Sequence, residues 1–281
     1  MSESPLTIQQ NLARASELDQ ISDSARLDVE LLLAECVERE RTYLYTWPEK
    51  ELTPEQQARF ESLFSRRLTG EPVAHILGQR EFWSLPLQVN PSTLIPRPDT
   101  ERLVEVVLDL DLPNDARVVD LGTGTGAIAL ALASEKPGWN ITGVDQSVDA
   151  VKLAEANRQA LGFNHITIKQ SDWFGELASE QFNLIVSNPP YIDQQDPHLA
   201  EGDVRFEPLS ALVADANGLA DIQHIAEQAK QHLLPGGWLA LEHGFEQGED
   251  VREIFSACGY VDVVTEQDYG GNDRVTLGRY S

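Results

Sequence analysis

Two periodicities divide this chain. From Leu6 to Leu68, apolar residues recur three and four positions apart, the spacing that lines one face of a helix. Leu6 to Leu18 and Ser24 to Glu38 both carry it, the second through Leu27, Leu31, Leu32 and Ala34. Thr53-Pro54-Glu55-Gln56 is a helix start: a capping threonine, proline at the first helical position, and a glutamine that closes a capping box. Phe60, Leu63, Phe64 and Leu68 follow on one face, and Gly70 is the expected stop. Residues 1–76 are therefore expected to form an all-helical domain. Its apolar residues read as bundle core with no polar constellation, which suits a substrate-recognition module.

Residues 77–99 change character. Glu81 to Val89 reads as two short strands around a turn, a hairpin that joins two domains, with Phe82 and Trp83 packing both together. Arg97 lies between Pro96 and Pro98 and is held extended. It is either a solvated linker charge or a side chain that reaches a ligand crevice. Residues 100–281 then alternate strand and helix. Thr100 is expected to cap a helix bearing Leu103, Val104, Val107 and Leu108. Strands are expected at 117–121, 140–145, 165–170, 182–187, 237–243, 260–266 and 273–280, with helices at 147–161, 218–233 and 246–258. Seven strands with crossovers predict an α/β fold, a doubly wound and mostly parallel sheet. The turn between the last two strands is too short for a crossover, so these two must pair antiparallel.

The chain has 281 residues, 21 basic and 46 acidic, a net charge of −25. Such a surface repels nucleic acid and anionic membrane, and neither is an expected partner. The opening Met1-Ser2-Glu3-Ser4-Pro5 shows no basic region before an apolar run, no stretch reaches membrane-spanning length, and Cys36 and Cys258 have no metal-like spacing. A reducing, cytoplasmic setting and a monomer are expected. The six histidines show no ligand spacing either, so no metal is expected.

Chemistry gathers at strand ends, where open α/β sheets bind ligands. Gly122-Thr123-Gly124-Thr125-Gly126 joins a strand to a helix. It is neither the Gly-x-Gly-x-x-Gly of a dinucleotide site nor a Walker loop. Asp145 ends the second strand, placed to accept from a ribose diol or to cap the next helix. Asp172 and Trp173 end the third; the acid suits an adenine amine, and the indole borders a base or fills core. The fourth strand runs through Leu184-Ile185-Val186 into Asn188-Pro189-Pro190-Tyr191. Two prolines stiffen that corner. The Asn188 side-chain oxygen and the Pro189 carbonyl offer two acceptors for one NH2 group, and Tyr191 can stack on the planar group carrying it. An adenosine without phosphates beside an acceptor-lined NH2 pocket describes S-adenosylmethionine with an amide or amine substrate. The stretch from Ile192 to Asn217 reads as a flap, with Arg205 and Glu207 as peptide contacts or local ion pairs. A nucleic-acid adenine methyltransferase, a non-catalytic binding module and a nicotinamide oxidoreductase remain as rivals.

Over nearly its whole length the chain resembles the HemK/PrmC protein-(glutamine-N5) methyltransferases of peptide chain release factors. The resemblance rests on Arg66-Arg67, Gly70-Glu71-Pro72-Val73-Ala74, Glu81-Phe82-Trp83, Leu94 to Glu101, the glycine loop, and Ser187 to Ile192. It implies a Rossmann-like methyltransferase sheet behind a helical domain and hairpin. It also implies transfer from S-adenosylmethionine, leaving S-adenosylhomocysteine, to the glutamine amide of a Gly-Gly-Gln motif. By position, it implies that Gly122 to Gly126 line the methionine moiety, Asp145 binds ribose, Trp173 borders adenine, and Asn188, Pro189, Pro190 and Tyr191 hold the glutamine amide.

Overall fold

The computed structural model describes residues 6–281. The opening pentapeptide, on which the signal-peptide expectation rests, lies outside them. The chain forms two compact units: Met1–Gln79 with Pro197–Phe206, and Arg80–Asp196 with Glu207–Ser281.

The first unit holds α1 (Ile8–Ala13), α2 (Ala25–Val37), α3 (Arg41–Thr46), α4 (Pro54–Leu68) and α5 (Val73–Leu77). The expected capping box at Thr53 and Gln56 is formed, and a second one at Thr7 and Gln10 starts α1. Gly70 follows α4 with φ +90°, a left-handed value that only glycine adopts cheaply. The buried stripe of α2 differs from the one expected. Ala25, Val29, Leu32, Leu33 and Cys36 face the core, whereas Leu27 is exposed. Polar groups also enter this core. Arg67 is buried where the apolar pattern pointed to Leu68, and it donates to Asp28 at 2.7 Å and to Asp203 at 3.0 Å. Glu30 is buried against Arg26, Arg41 and Tyr45. A hydrophobicity pattern hides such groups, because a charge satisfied by partners is buried without an apolar signal.

The second unit opens on a hairpin, β1 (Gln79–Phe82) and β2 (Leu85–Gln88), turned by Trp83 and Ser84, both at positive φ. Phe82 and Trp83 both pack into this unit's own core. The sheet follows: β3 (Arg117–Leu121), β4 (Asn140–Asp145), β5 (Thr167–Gln170), β6 (Phe182–Ser187), β7 (Leu233–Glu242), β8 (Val261–Gln267) and β9 (Asp273–Arg279). Its order is β5-β4-β3-β6-β7-β9-β8. Pairs from β5 through β7 are parallel, and β9 is antiparallel to both neighbours, as the short last turn requires. Helices α6 (Glu101–Leu108), α7 (Ala127–Glu135), α8 (Val148–Ala160), the single turn α9 (Asp215–Gly218), α10 (Ala220–His232) and α11 (Gly248–Ala257) complete it. Val118 and Val119 on β3 enter opposite cores, one on each face of the sheet. A parallel strand covered on both sides must be apolar on both, which explains the unbroken apolar run Leu184-Ile185-Val186 in β6.

Strand order reverses beside β3: the chain builds β4 and β5 on one side, then returns to place β6 on the other. That switch point opens the crevice at the strands' carboxyl ends. Thr100 does not cap α6 as expected. It ends a 3-10 turn, Pro98–Thr100, with no side-chain cap bond. Its hydroxyl is used inside the crevice instead.

Candidate active site

A cavity of about 270 Å³ lies over the ends of β3, β4, β5 and β6. Gly122, Gly124, Thr125, Asp145, Asp172, Trp173, Asn188 and Pro190 line it, together with Arg97, Thr100, Ser210 and Asp221. Residues from four strand ends, a connector and the segment after β6 are thus brought to one place.

The glycine loop works through its backbone. Gly122, Gly124 and Gly126 all have positive φ, and a Cβ on Gly126 would stand 3.0 Å from Leu130. Thr123 and Gly126 are not in the lining; they hold the loop's shape. The Thr123 hydroxyl donates to Asp120 at 2.5 Å, and the Gly126 amide donates to the Thr123 carbonyl at 2.8 Å. Asp120 also accepts from the Ala129 amide at 3.3 Å, which ties β3 to α7. Burial pushes its carboxyl up to about 7.

Asp145 grips the same loop from β4. One carboxylate oxygen accepts from the Gly124 amide at 3.0 Å, the other from the Ser147 amide at 2.8 Å. Each oxygen keeps a lone pair for a further donor such as a ribose hydroxyl. Ser147, not Asp145, caps α8. Burial holds the Asp145 carboxyl above its usual range, and those two amides oppose the rise. Asp172 is exposed at the rim, and the Trp173 ring lies against Gly122, where a Cβ would stand 3.6 Å from the indole.

Among the described residues, the lining contains Asp145, Asp172 and Asp221 against one cation, Arg97. Such a cavity favours a positively charged ligand and disfavours a polyphosphate. Its donor set therefore fits S-adenosylmethionine, whose sulfonium is cationic and which carries no phosphate. Arg97 resolves toward the crevice, and it pairs with Glu207 at 2.7 Å. Arg205 packs against Gly70 in the helical unit, so the two flap residues diverge.

The Asn-Pro-Pro-Tyr corner splits in two. Asn188 and Pro190 line the cavity; Pro189 is buried outside the lining. Tyr191 turns back, its hydroxyl 3.4 Å from Glu242 and its carbonyl accepting from Gln247 at 3.0 Å. Asn188 donates its side-chain NH2 to the Thr100 hydroxyl at 3.1 Å. Ser187 before it donates to the Leu121 carbonyl at 2.6 Å, locking the corner to β3. With its nitrogen engaged by Thr100, the Asn188 amide keeps its oxygen as an acceptor on a residue that lines the cavity. Thr100 and Glu242 escape sequence reasoning, because only the fold sets them beside Asn188. Among the described residues, no group of three or more His, Cys, Asp or Glu side chains is arranged to hold a metal, and no helix is long and apolar enough to cross a membrane.

Comparison with known proteins places this geometry in context. Residues 12–78 match the PrmC N-terminal domain model and residues 99–203 the methyltransferase small domain model. The chain is 58% identical over 261 residues to the release factor glutamine methyltransferase of Escherichia coli, covering 93% of this chain and 94% of that one. It is 57% identical over 260 residues to the enzyme of the same name from Aliivibrio fischeri, covering 92% of each chain. A methyltransferase structure from Pyrococcus furiosus shares the fold, with a TM-score of 0.53 at 17% identity, covering 78% of this chain and 98% of that one. The protein is a methyltransferase, and it belongs to the release factor glutamine methyltransferase family.

Proposed function

We propose that this protein methylates the side-chain amide nitrogen of the glutamine in the Gly-Gly-Gln motif of bacterial peptide chain release factors, using S-adenosylmethionine. The observation that carries the reading is the pinned Asn188 amide, whose NH2 is spent on Thr100 and whose oxygen is left for a substrate N–H. The glycine loop, Asp145 and the Asp172–Trp173 rim would hold the methyl donor's methionine, ribose and adenine parts in turn. When bound, that donor supplies an electrophilic methyl on a sulfonium.

An amide nitrogen is a weak nucleophile because its lone pair is delocalised into the carbonyl. Among the described residues, no His, Cys or Lys lines the cavity to act as a strong base. Catalysis here is positioning. The Asn188 oxygen accepts one N–H of the acceptor amide, and Pro189, whose ring is buried outside the lining, offers only its carbonyl as the second acceptor, with Pro190 as a rigid wall that fixes the amide plane. The same acceptors stabilise positive charge as it develops on nitrogen, and proton loss to water completes the reaction. Tyr191 supports the corner from behind through Glu242 and Gln247. The helical residues 1–76 take the role of recognising the protein substrate, residues 77–99 that of connector, and the cytoplasm is the compartment where release factors work.

The test is transfer of label from S-adenosylmethionine to a purified release factor, with peptide mapping of the labelled residue. A factor carrying Gly-Gly-Ala and a DNA duplex serve as parallel acceptors. Label confined to the Gly-Gly-Gln glutamine is expected. Label on the Gly-Gly-Ala factor or on DNA would overturn the assignment.

A further inference from the structure

Glu242 is the last residue of β7, and the register Ser187↔Leu241 sets it beside Asn188 at the end of β6. It is 1% exposed, and among the described residues its Oε2 has no hydrogen-bond partner. A buried carboxylate with an open valence needs an explanation. The groups around it supply one. Tyr191 faces it from the corner, Arg274 from β9, and Asp99 and Thr100 from the turn before α6. Arg274 is shared with Asp268 at 3.1 Å and Asp99 at 3.7 Å, so its charge is not devoted to Glu242. His243, the residue after the strand, points elsewhere and its Nε2 is hydrogen-bonded with the Thr276 hydroxyl at 2.8 Å.

We propose that Glu242 is a positioning residue for the methyl acceptor: through the hydroxyl of Thr100 it decides which end of the Asn188 amide faces the cavity. A hydroxyl carries one proton and two lone pairs. When Glu242 is ionised it can only accept, so the Thr100 proton points to the carboxylate and its lone pairs face Asn188. The Asn188 NH2 then donates to Thr100 and its oxygen faces the substrate. If Glu242 is neutral, it can donate to Thr100. The Thr100 proton then turns toward Asn188, the amide reverses, and an NH2 faces the substrate's own NH2. Donor against donor removes the two-acceptor grip. Burial pushes the Glu242 carboxyl up to about 7, with Asp99 adding to the rise and Thr100, Arg274 and Tyr191 opposing it. The switch therefore falls near neutral pH. This inference rests on the amide-acceptor reading above.

The experiment compares wild type with Glu242→Gln, Thr100→Val and Thr100→Ser. It measures kcat and KM on a release factor with S-adenosylmethionine saturating, from about pH 6 to about pH 9. Cofactor affinity and thermal melting are measured on the same samples. Wild type is expected to lose activity as pH falls through about 7. Glu242→Gln and Thr100→Val are expected to lose on the order of 10²-fold in kcat, with cooperative melting retained, that of Glu242→Gln no lower than wild type, and cofactor affinity within about threefold of wild type. Glu242→Gln is also expected to lose the acid limb of the profile, and Thr100→Ser, which keeps the hydroxyl, to retain most activity. A Glu242→Gln enzyme with normal kcat, or one slowed with the acid limb unmoved, would overturn the role of Glu242. Failure of wild type to label the factor would instead overturn the amide-acceptor reading beneath it.

Discussion

Behind each half of the cavity stands a buried carboxylate lifted to about 7 by burial, and the two side chains do different work. On the cofactor half, Asp120 grips the Thr123 hydroxyl and the Ala129 amide, and Asp145 grips two more backbone amides. The result is a fixed loop whose ligand-facing surface is mostly backbone. On the acceptor half, Glu242 faces the hydroxyls of Thr100 and Tyr191, and Thr100 in turn holds the Asn188 amide. There the carboxylate acts through side chains that carry hydrogen-bond polarity into the cavity. One half stores shape, and the other stores direction.

That contrast yields predictions of decreasing size. Asp145→Ala removes an acceptor for the cofactor and frees the Gly124 amide, so calorimetry should show S-adenosylmethionine affinity falling by up to about 100-fold, the equivalent of about 3 kcal/mol. Stability should respond to Glu242 in the opposite sense to activity. Its carboxyl titrates near 7 in the folded chain against an ordinary 4.5, so its contribution is full below 4.5 and is lost as pH rises through 7. Glu242→Gln cannot ionise and should be more stable than wild type at alkaline pH, by at most about 3 kcal/mol, with the gap closing in acid. Denaturant titration at two pH values reads this. Gly126→Ala forces a Cβ into left-handed φ 3.0 Å from Leu130, and chemical denaturation should show a loss of about 1–2 kcal/mol with weakened cofactor binding. Ser147→Ala deletes the α8 cap and should cost about 1 kcal/mol of stability, leaving turnover per bound cofactor unchanged.

The same contrast explains what the sequence made legible. Positive φ writes itself as glycine and a rigid corner as proline, so the loop at Gly122 and the corner at Asn188 stand out. The sheet was readable because β6 carries an unbroken apolar run and the Asp268–Asn272 turn leaves no room for a helix. Thr100 and Glu242 are common residue types 88 and 54 positions from Asn188 in sequence, and near it only in space. Strand register and the turn before α6 bring them together, and neither can be read locally. The buried Arg67 was missed for a related reason: its partners Asp28 and Asp203 lie far apart along the chain.

The measurement that bears most directly on this division of labour is made on Asn188→Ala, with S-adenosylmethionine affinity and single-turnover methyl transfer to a release factor taken from the same preparation. The account predicts affinity within about threefold of wild type and a transfer rate reduced by about 10²–10³-fold. A near-normal rate, or a rate and an affinity that collapse together, would contradict it.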